Sequence, residues 1–74
     1  MSADELFAIY KERYPKTVRK MTKEQRLARA EQLESDYSTI VKTQVAYFKE
    51  HQATSSDYEA QSVANEIAFS TLFG

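Results

Sequence analysis

Three carboxylates lie close together in the middle of the chain: Glu31 and Glu34 are three residues apart, and Asp36 follows. Paired carboxylates can act as general acid and base when burial or a neighbouring charge separates their pKa values. Here they fall on the polar face of a predicted helix, where nothing desolvates them. The sequence also lacks the Glu-x-x-His pairs of di-iron bundles. The cluster therefore predicts no catalytic site.

His51 is the only histidine, and the sequence has no cysteine. Thiolate zinc sites, iron–sulfur clusters, thiol catalysis and multi-histidine sites within one chain are therefore excluded. A hydrolase triad lacks its glycine-rich elbow, and one glycine is too few for a phosphate-binding loop. We interpret His51 as a favourable partner of a helix C-terminus. These observations predict a non-enzymatic protein without a metal or cofactor.

Charge is strongly segregated along the chain. Residues 11–29 contain eight cations and two anions, for a net charge of +6, whereas residues 30–74 contain two cations and seven anions, for a net charge of −5. The net charge of the whole chain is −1, so the near-neutral total hides this separation. Residues 11–29 are called the basic segment below. Its cations are Lys11, Arg13, Lys16, Arg19, Lys20, Lys23, Arg26 and Arg29.

Three interpretations of the basic segment remain open. It can dock an acidic protein surface, where charge sets the encounter rate and the register, and a second copy of this chain belongs to that class. It can bind nucleic-acid phosphates, with Tyr14 as a stacking surface. It can also be a solvated face without a partner. The pI of 5.8 argues against nucleic acid, because nucleic-acid-binding domains commonly exceed about 9, so protein docking is the favoured function.

Aromatic residues supply the second set of candidate contacts. Tyr47 lies off the main apolar stripe and Tyr58 lies at the start of a predicted helix, which favours exposed contact positions for both. Phe69 and Phe73 lie near the end of the sequence and either fold back on the core or insert into a partner. The residues predicted to contact a protein partner are Tyr14, Lys16, Arg19, Lys20, Lys23, Arg26, Arg29, Tyr47, Tyr58, Phe69 and Phe73.

Glycine and proline occur once each in the 74 residues. A sheet protein needs turn residues every 8–12 positions or so, which favours an all-α fold here. The length allows a single helical domain over 1–74, and a chain this short buries only about 60% of its unfolded surface. Because disulfides and metal are excluded, a protein partner or self-association is the expected source of further stability.

Capping boxes mark three predicted helix starts, at Ser2–Glu5, Thr22–Gln25 and Ser56–Glu59. Apolar residues at helical spacing follow each box, so the sequence predicts a three-helix domain. The helices are expected at about 3–14, 23–50 and 57–72, with a loop at 15–22 and a turn at 51–56. Pro15 ends the first helix, because the residue before a proline leaves helical geometry.

Two details of these helices bear on packing. A run of weak helix formers leaves open whether the long second helix is continuous or broken near 35–39. In the third helix, Val63 and Ile67 share the predicted apolar face. Ala60, Ala64 and Ala68 form a small-residue strip beside that face, where another helix could approach closely.

The apolar runs and the N-terminal residues predict where the protein is located. No apolar run approaches the ~18–20 residues of a membrane span, and the acidic N-terminus lacks a signal-peptide pattern, which predicts a cytoplasmic protein without membrane contact. We expect a small regulator, inhibitor or assembly subunit that binds a protein partner through the basic segment and the aromatic surface. The alternatives are a nucleic-acid-binding helical module that uses residues 11–29, and a structural homodimer.

Overall fold

The structure, a computed structural model, describes residues 1–51 and 56–74. Within those residues the chain forms helices and no strand, which confirms the all-α prediction. Four helices follow one another, and they are α1 (Ala3–Arg13), α2 (Pro15–Arg19), α3 (Lys23–His51) and α4 (Asp57–Phe73). Across the described ranges, no helix is both long and apolar enough to cross a bilayer. The turn predicted at 51–56 lies mostly outside the described residues.

The chain divides into two compact units, Met1–Asp36 and Tyr37–Gly74. The first unit contains α1, α2 and the N-terminal half of α3, and the second contains the C-terminal half of α3 and α4. The assignment of 1–74 to a single domain stays a prediction. The helix α3 is continuous through residues 35–39, since no glycine or proline interrupts its hydrogen bonds there.

The predicted caps are in place. Ser2 Oγ accepts a hydrogen bond from Glu5 N at 3.2 Å, and the Glu5 carboxylate accepts one from Ser2 N at 3.2 Å. The same reciprocal pair joins Thr22 and Gln25, at 3.1 and 2.9 Å. At the third predicted box, Ser56 Oγ accepts from Glu59 N at 3.2 Å, which confirms Ser56 as the N-cap of α4. Each cap satisfies an amide that the first helical turn leaves without a partner.

The loop predicted at 15–22 is wrong in its first half, because residues 15–19 form the short helix α2. Pro15 does end α1, whose last residue is Arg13, but it also begins α2. Proline suits the first position of a helix, where its fixed φ is helical and the missing N–H has no partner to lose. The new helix buries Val18, which is 2% exposed.

The first unit has a core of four buried apolar residues. Leu6 of α1 and Val18 of α2 are nearly inaccessible, and Ala30 and Leu33 of α3 are buried as well. Leu27 shares the predicted stripe with the last two, yet its side chain is 59% exposed. The apolar stripe of α3 is therefore covered in part only.

In the second unit, the small residues of α4 form the buried face. Ala60, Ala64 and Ala68 are at most 1% exposed, whereas Val63 and Ile67 are more than a third exposed. The small-residue strip predicted for close helix approach is thus the buried face, and the larger residues of the neighbouring apolar face lie outside it. On α3, Tyr37 is buried, and its hydroxyl hydrogen is donated to Asn65 Oδ1 at 3.1 Å. The chain terminus is held by a bond from Gly74 N to Ser70 O.

Candidate interaction surfaces

The basic segment surrounds an open groove in the first unit. The groove has a volume of about 520 Å³, within the range of ligand pockets. It is called the α2 groove, and its lining residues are Ala8, Lys11, Glu12, Pro15, Val18, Arg19 and Arg26. These residues come from α1, α2 and α3, so all three helices contribute to the groove.

The α2 groove combines positive charge with an apolar lining. Lys11, Arg19 and Arg26 outnumber the single anion, Glu12, while Ala8, Pro15 and Val18 supply the apolar part. Arg26 is fixed in place, because its Nη2 donates to Val18 O at 3.1 Å. That bond satisfies a carbonyl near the C-terminus of α2, where a cation is also favoured by the helix dipole. Arg26 therefore has a structural role beside its charge.

The dipole accounts for further cations of the basic segment. Lys11 and Arg13 lie in the last turn of α1, and Lys16 and Arg19 lie in the last turn of α2. Positive charge is stabilising at a helix C-terminus. Each of the two successive short helices thus favours cations at its C-terminal end. Part of the charge segregation along the sequence therefore follows from local helix stability.

A row of aromatic rings runs along α1. The rings of Phe7 and Tyr10 are stacked at 6.1 Å, and those of Tyr10 and Tyr14 are tilted at 5.0 Å. The guanidinium of Arg29 lies 5.6 Å from the centre of the Tyr10 ring, a cation–π contact. Tyr14 is 43% exposed. Its ring is therefore partly accessible, whereas the Arg29 cation already contacts α1.

The structure separates the predicted cationic contacts into groups. Arg19 and Arg26 meet in the α2 groove, whereas Arg29 lines a second groove of about 460 Å³ together with Thr17, Met21, Gln25, Ala28 and Gln32. Lys16, Lys20 and Lys23 are exposed and line neither groove. Lys11 was not predicted as a contact residue, because nothing in its spacing shows that α2 folds back beside it.

Tyr47 and Tyr58 are exposed, as predicted for surface positions, at 60% and 83%. The Tyr47 ring stacks on the His51 ring one turn later, with centres 4.1 Å apart. His51 Nδ1 lies 3.0 Å from Tyr47 O, a contact that is a hydrogen bond when Nδ1 carries the proton. His51 is thus a partner of carbonyl groups at the end of α3, as its position predicts. A partner that binds through Tyr47 stays a prediction.

The aromatic end of the sequence folds back. Phe73 is 2% exposed, and its ring lies 5.1 Å from the half-buried ring of Phe69. Of the two alternatives for these residues, burial against the chain is the one that the structure shows for Phe73. A contact between Phe73 and a partner would require α4 to release it.

One face of α4 presents acidic and apolar residues together. Val63 and Ile67 are one turn apart, and Glu59 and Glu66 share their side of the helix at spacings of three and four residues. All four side chains are exposed. These residues are called the α4 strip, and they lie beside the buried alanines. Sequence reasoning identified the apolar pair as one helix face but did not name it as a contact surface.

Three carboxylates of the chain are engaged in local contacts. Hydrogen bonds from the backbone and then the side chain of Ser2 lower the pKa of Glu5. A hydrogen bond from Lys49, at 2.8 Å, and then the charge of that ammonium lower the pKa of Asp57. Asp36 Oδ1 accepts from Gln32 Nε2 at 2.9 Å. The first contact caps α1, the second links α3 to α4, and the third lies within α3.

Over residues 1–51 and 56–74, no group of three or more His, Cys, Asp or Glu side chains is placed to hold a metal ion. A small set of packed helices is compatible with many unrelated functions, so function depends on the surfaces themselves. Comparison of the chain with protein-family models, curated proteins and solved structures finds no match.

Proposed function

We propose that the protein is a non-enzymatic interaction module that binds an acidic, partly apolar protein surface in the α2 groove. The observation that carries this proposal is the meeting of Lys11, Arg19 and Arg26, from three different helices, around an apolar lining. Such a surface attracts a partner by charge and holds it by apolar contact. A regulator, an inhibitor and an assembly subunit would all use a surface of this kind.

The apolar lining favours a protein over nucleic acid. Phosphate binding needs clustered cations but no apolar groove, whereas the apolar part of the lining can take up an apolar side chain of a protein. An exposed ion pair contributes only ~0.2–1 kcal/mol, so three such pairs would supply no more than about 3 kcal/mol. The remaining affinity has to come from apolar area removed from water, at roughly 25 cal/mol per Å².

Fluorescence anisotropy tests the proposal with defined probes. The probes are a labelled helical peptide with Glu and Leu at helical spacing, unrelated in sequence to this chain, and single-stranded and duplex DNA of similar charge. We expect binding of the peptide and its loss in the variant Lys11→Glu/Arg19→Glu. Arg26 is left unchanged in this variant, because its bond to Val18 O holds α2 to α3.

The matched control is Lys20→Glu/Lys23→Glu, which changes the net charge equally within the same segment. Both lysines are exposed and neither lines the α2 groove. Peptide binding should survive in the control. An equal loss in both variants would show that diffuse charge attracts the peptide, and DNA binding tighter than peptide binding would favour the nucleic-acid alternative. Either result contradicts the proposal.

A further inference from the structure

We infer that the partner in the α2 groove is a second copy of this chain, which contributes its α4 strip. This inference rests on the proposed function and deepens it by naming the partner. The strip presents Val63 and Ile67 beside Glu59 and Glu66, all exposed on one face of α4. A partner of the groove needs the same two properties, acidity and exposed apolar side chains.

The two surfaces match in charge and in polarity. The groove carries Lys11, Arg19 and Arg26 against one anion, and the strip carries two carboxylates and no cation. The strip's two carboxylates, Glu59 and Glu66, are seven residues apart, a distance of ~10 Å along a helix. Glu59 lies one turn before Val63, and Glu66 immediately precedes Ile67. When the apolar pair enters the groove, each carboxylate can therefore meet a cation at the groove edge.

The strip contains two β-branched apolar residues, Val63 and Ile67, that the single chain leaves exposed. Single exposed apolar residues are ordinary on a protein surface. Val63 and Ile67, however, are neighbours on one helix face, next to the row of buried alanines. The alanines form the buried face of α4, so Val63 and Ile67, on the neighbouring exposed face, have no role in that burial. Cover by a second copy gives them one.

Each copy carries both surfaces, which favours a second copy over an unrelated protein. Every copy offers the other a groove and a strip that match, whereas an unrelated protein would have to supply a matching strip of its own. A second copy is also a source of stability for a small helical chain without cysteine.

Sedimentation with charge-swapped variants tests the inference. We expect the wild-type chain to associate at about 100 μM in low salt, and Arg19→Glu or Glu66→Lys to weaken that association about tenfold, because each reverses one charge of the contact. Glu66 is chosen over Glu59, whose negative charge in the first turn also stabilises α4. An equimolar mixture of the two variants should associate as the wild type does, because opposite charges meet again in both contacts.

Two further variants separate docking from folding. Val63→Ser/Ile67→Ser should reduce association while the helical circular dichroism is kept, because both side chains are exposed in the single chain. Lys42→Glu, an exposed change outside both surfaces, should leave association unchanged. A wild-type chain that stays monomeric at that concentration, or a mixture that does not recover, would overturn the inference.

The result also distinguishes this inference from the proposed function. Glu66→Lys leaves the α2 groove intact, so this variant should still bind the unrelated acidic peptide. Peptide binding without self-association of the wild type would reject the second copy as partner and keep the groove. Insensitivity of peptide binding to Lys11→Glu/Arg19→Glu would reject both.

Discussion

At the scale of single residues, short polar side chains set the helix starts. Thr22 accepts from Gln25 N through its hydroxyl oxygen, and the Gln25 side chain returns the bond to Thr22 N. We expect Thr22→Ala to lower the free energy of unfolding by ~1 kcal/mol, because it leaves an amide of α3 without its partner. Urea denaturation measures this loss.

The control for this cap is another threonine of the same helix. Thr43 lies in the exposed interior of α3, where its hydroxyl donates to Thr39 O at 2.8 Å. Thr43→Ala should be neutral or slightly stabilising, since alanine has the higher helix propensity. Equal losses of unfolding free energy for Thr22→Ala and Thr43→Ala would show that the Thr22 cap contributes no more than a hydroxyl in the helix interior.

The ion pair between Lys49 and Asp57 predicts a pH dependence. The hydrogen bond and the charge of Lys49 lower the pKa of Asp57 below its ordinary value. A carboxyl whose pKa is depressed on folding stabilises the fold above its unfolded pKa, and that contribution is lost as the pH falls through the folded pKa. We expect Lys49→Gln to raise the pKa of Asp57 toward its ordinary value, as followed by NMR titration of the carboxyl carbon, whereas Lys42→Gln should leave it in place. Both partners are exposed, so the effect on unfolding should be small.

At the scale of the helices, the sequence predicts ends better than faces. Caps such as Ser2 are local, since a hydroxyl and an amide three residues apart suffice, and they located α1, α3 and α4 to within one residue or so. The sequence did not predict α2, because Pro15 can end one helix and can also begin the next. Burial of Val18 favours the second helix, and that burial depends on tertiary packing. The sequence therefore supplied the cations of the α2 groove but not the groove itself.

The alanine face of α4 illustrates the same limit and carries a prediction. Periodicity selects large apolar residues for the core, yet close helix packing buried Ala64 and left Val63 outside. We expect Ala64→Leu to destabilise the fold by ~1–3 kcal/mol, because the added atoms have no space between the helices. Thermal denaturation should show the loss. Val63→Leu, at the exposed neighbouring position, is the control and should change stability by no more than about 0.5 kcal/mol.

At the scale of the whole molecule, the charge separation is less complete than the linear sequence suggests. The acidic residues Glu31, Glu34 and Asp36 belong to the same compact unit as the basic segment. That unit, Met1–Asp36, holds eight cations and seven anions, whereas the second unit holds two cations and four anions. Net charge therefore predicts little attraction between copies, and the proposed pairing depends on the local match of groove and strip.

A local charge match predicts how association responds to salt. The Debye length falls from about 30 Å at 0.01 M salt to about 3 Å at 1 M, so pairs at the edge of the α2 groove should be screened. A partner that binds only the folded chain raises the unfolding midpoint with concentration. We therefore expect the midpoint to rise with protein concentration at low salt and to rise less at 1 M, as measured by circular dichroism. The variant Arg19→Glu should lose the concentration dependence already at low salt. A purely apolar contact would keep or strengthen the concentration dependence in salt, and that outcome would contradict the roles given to Arg19 and Glu66.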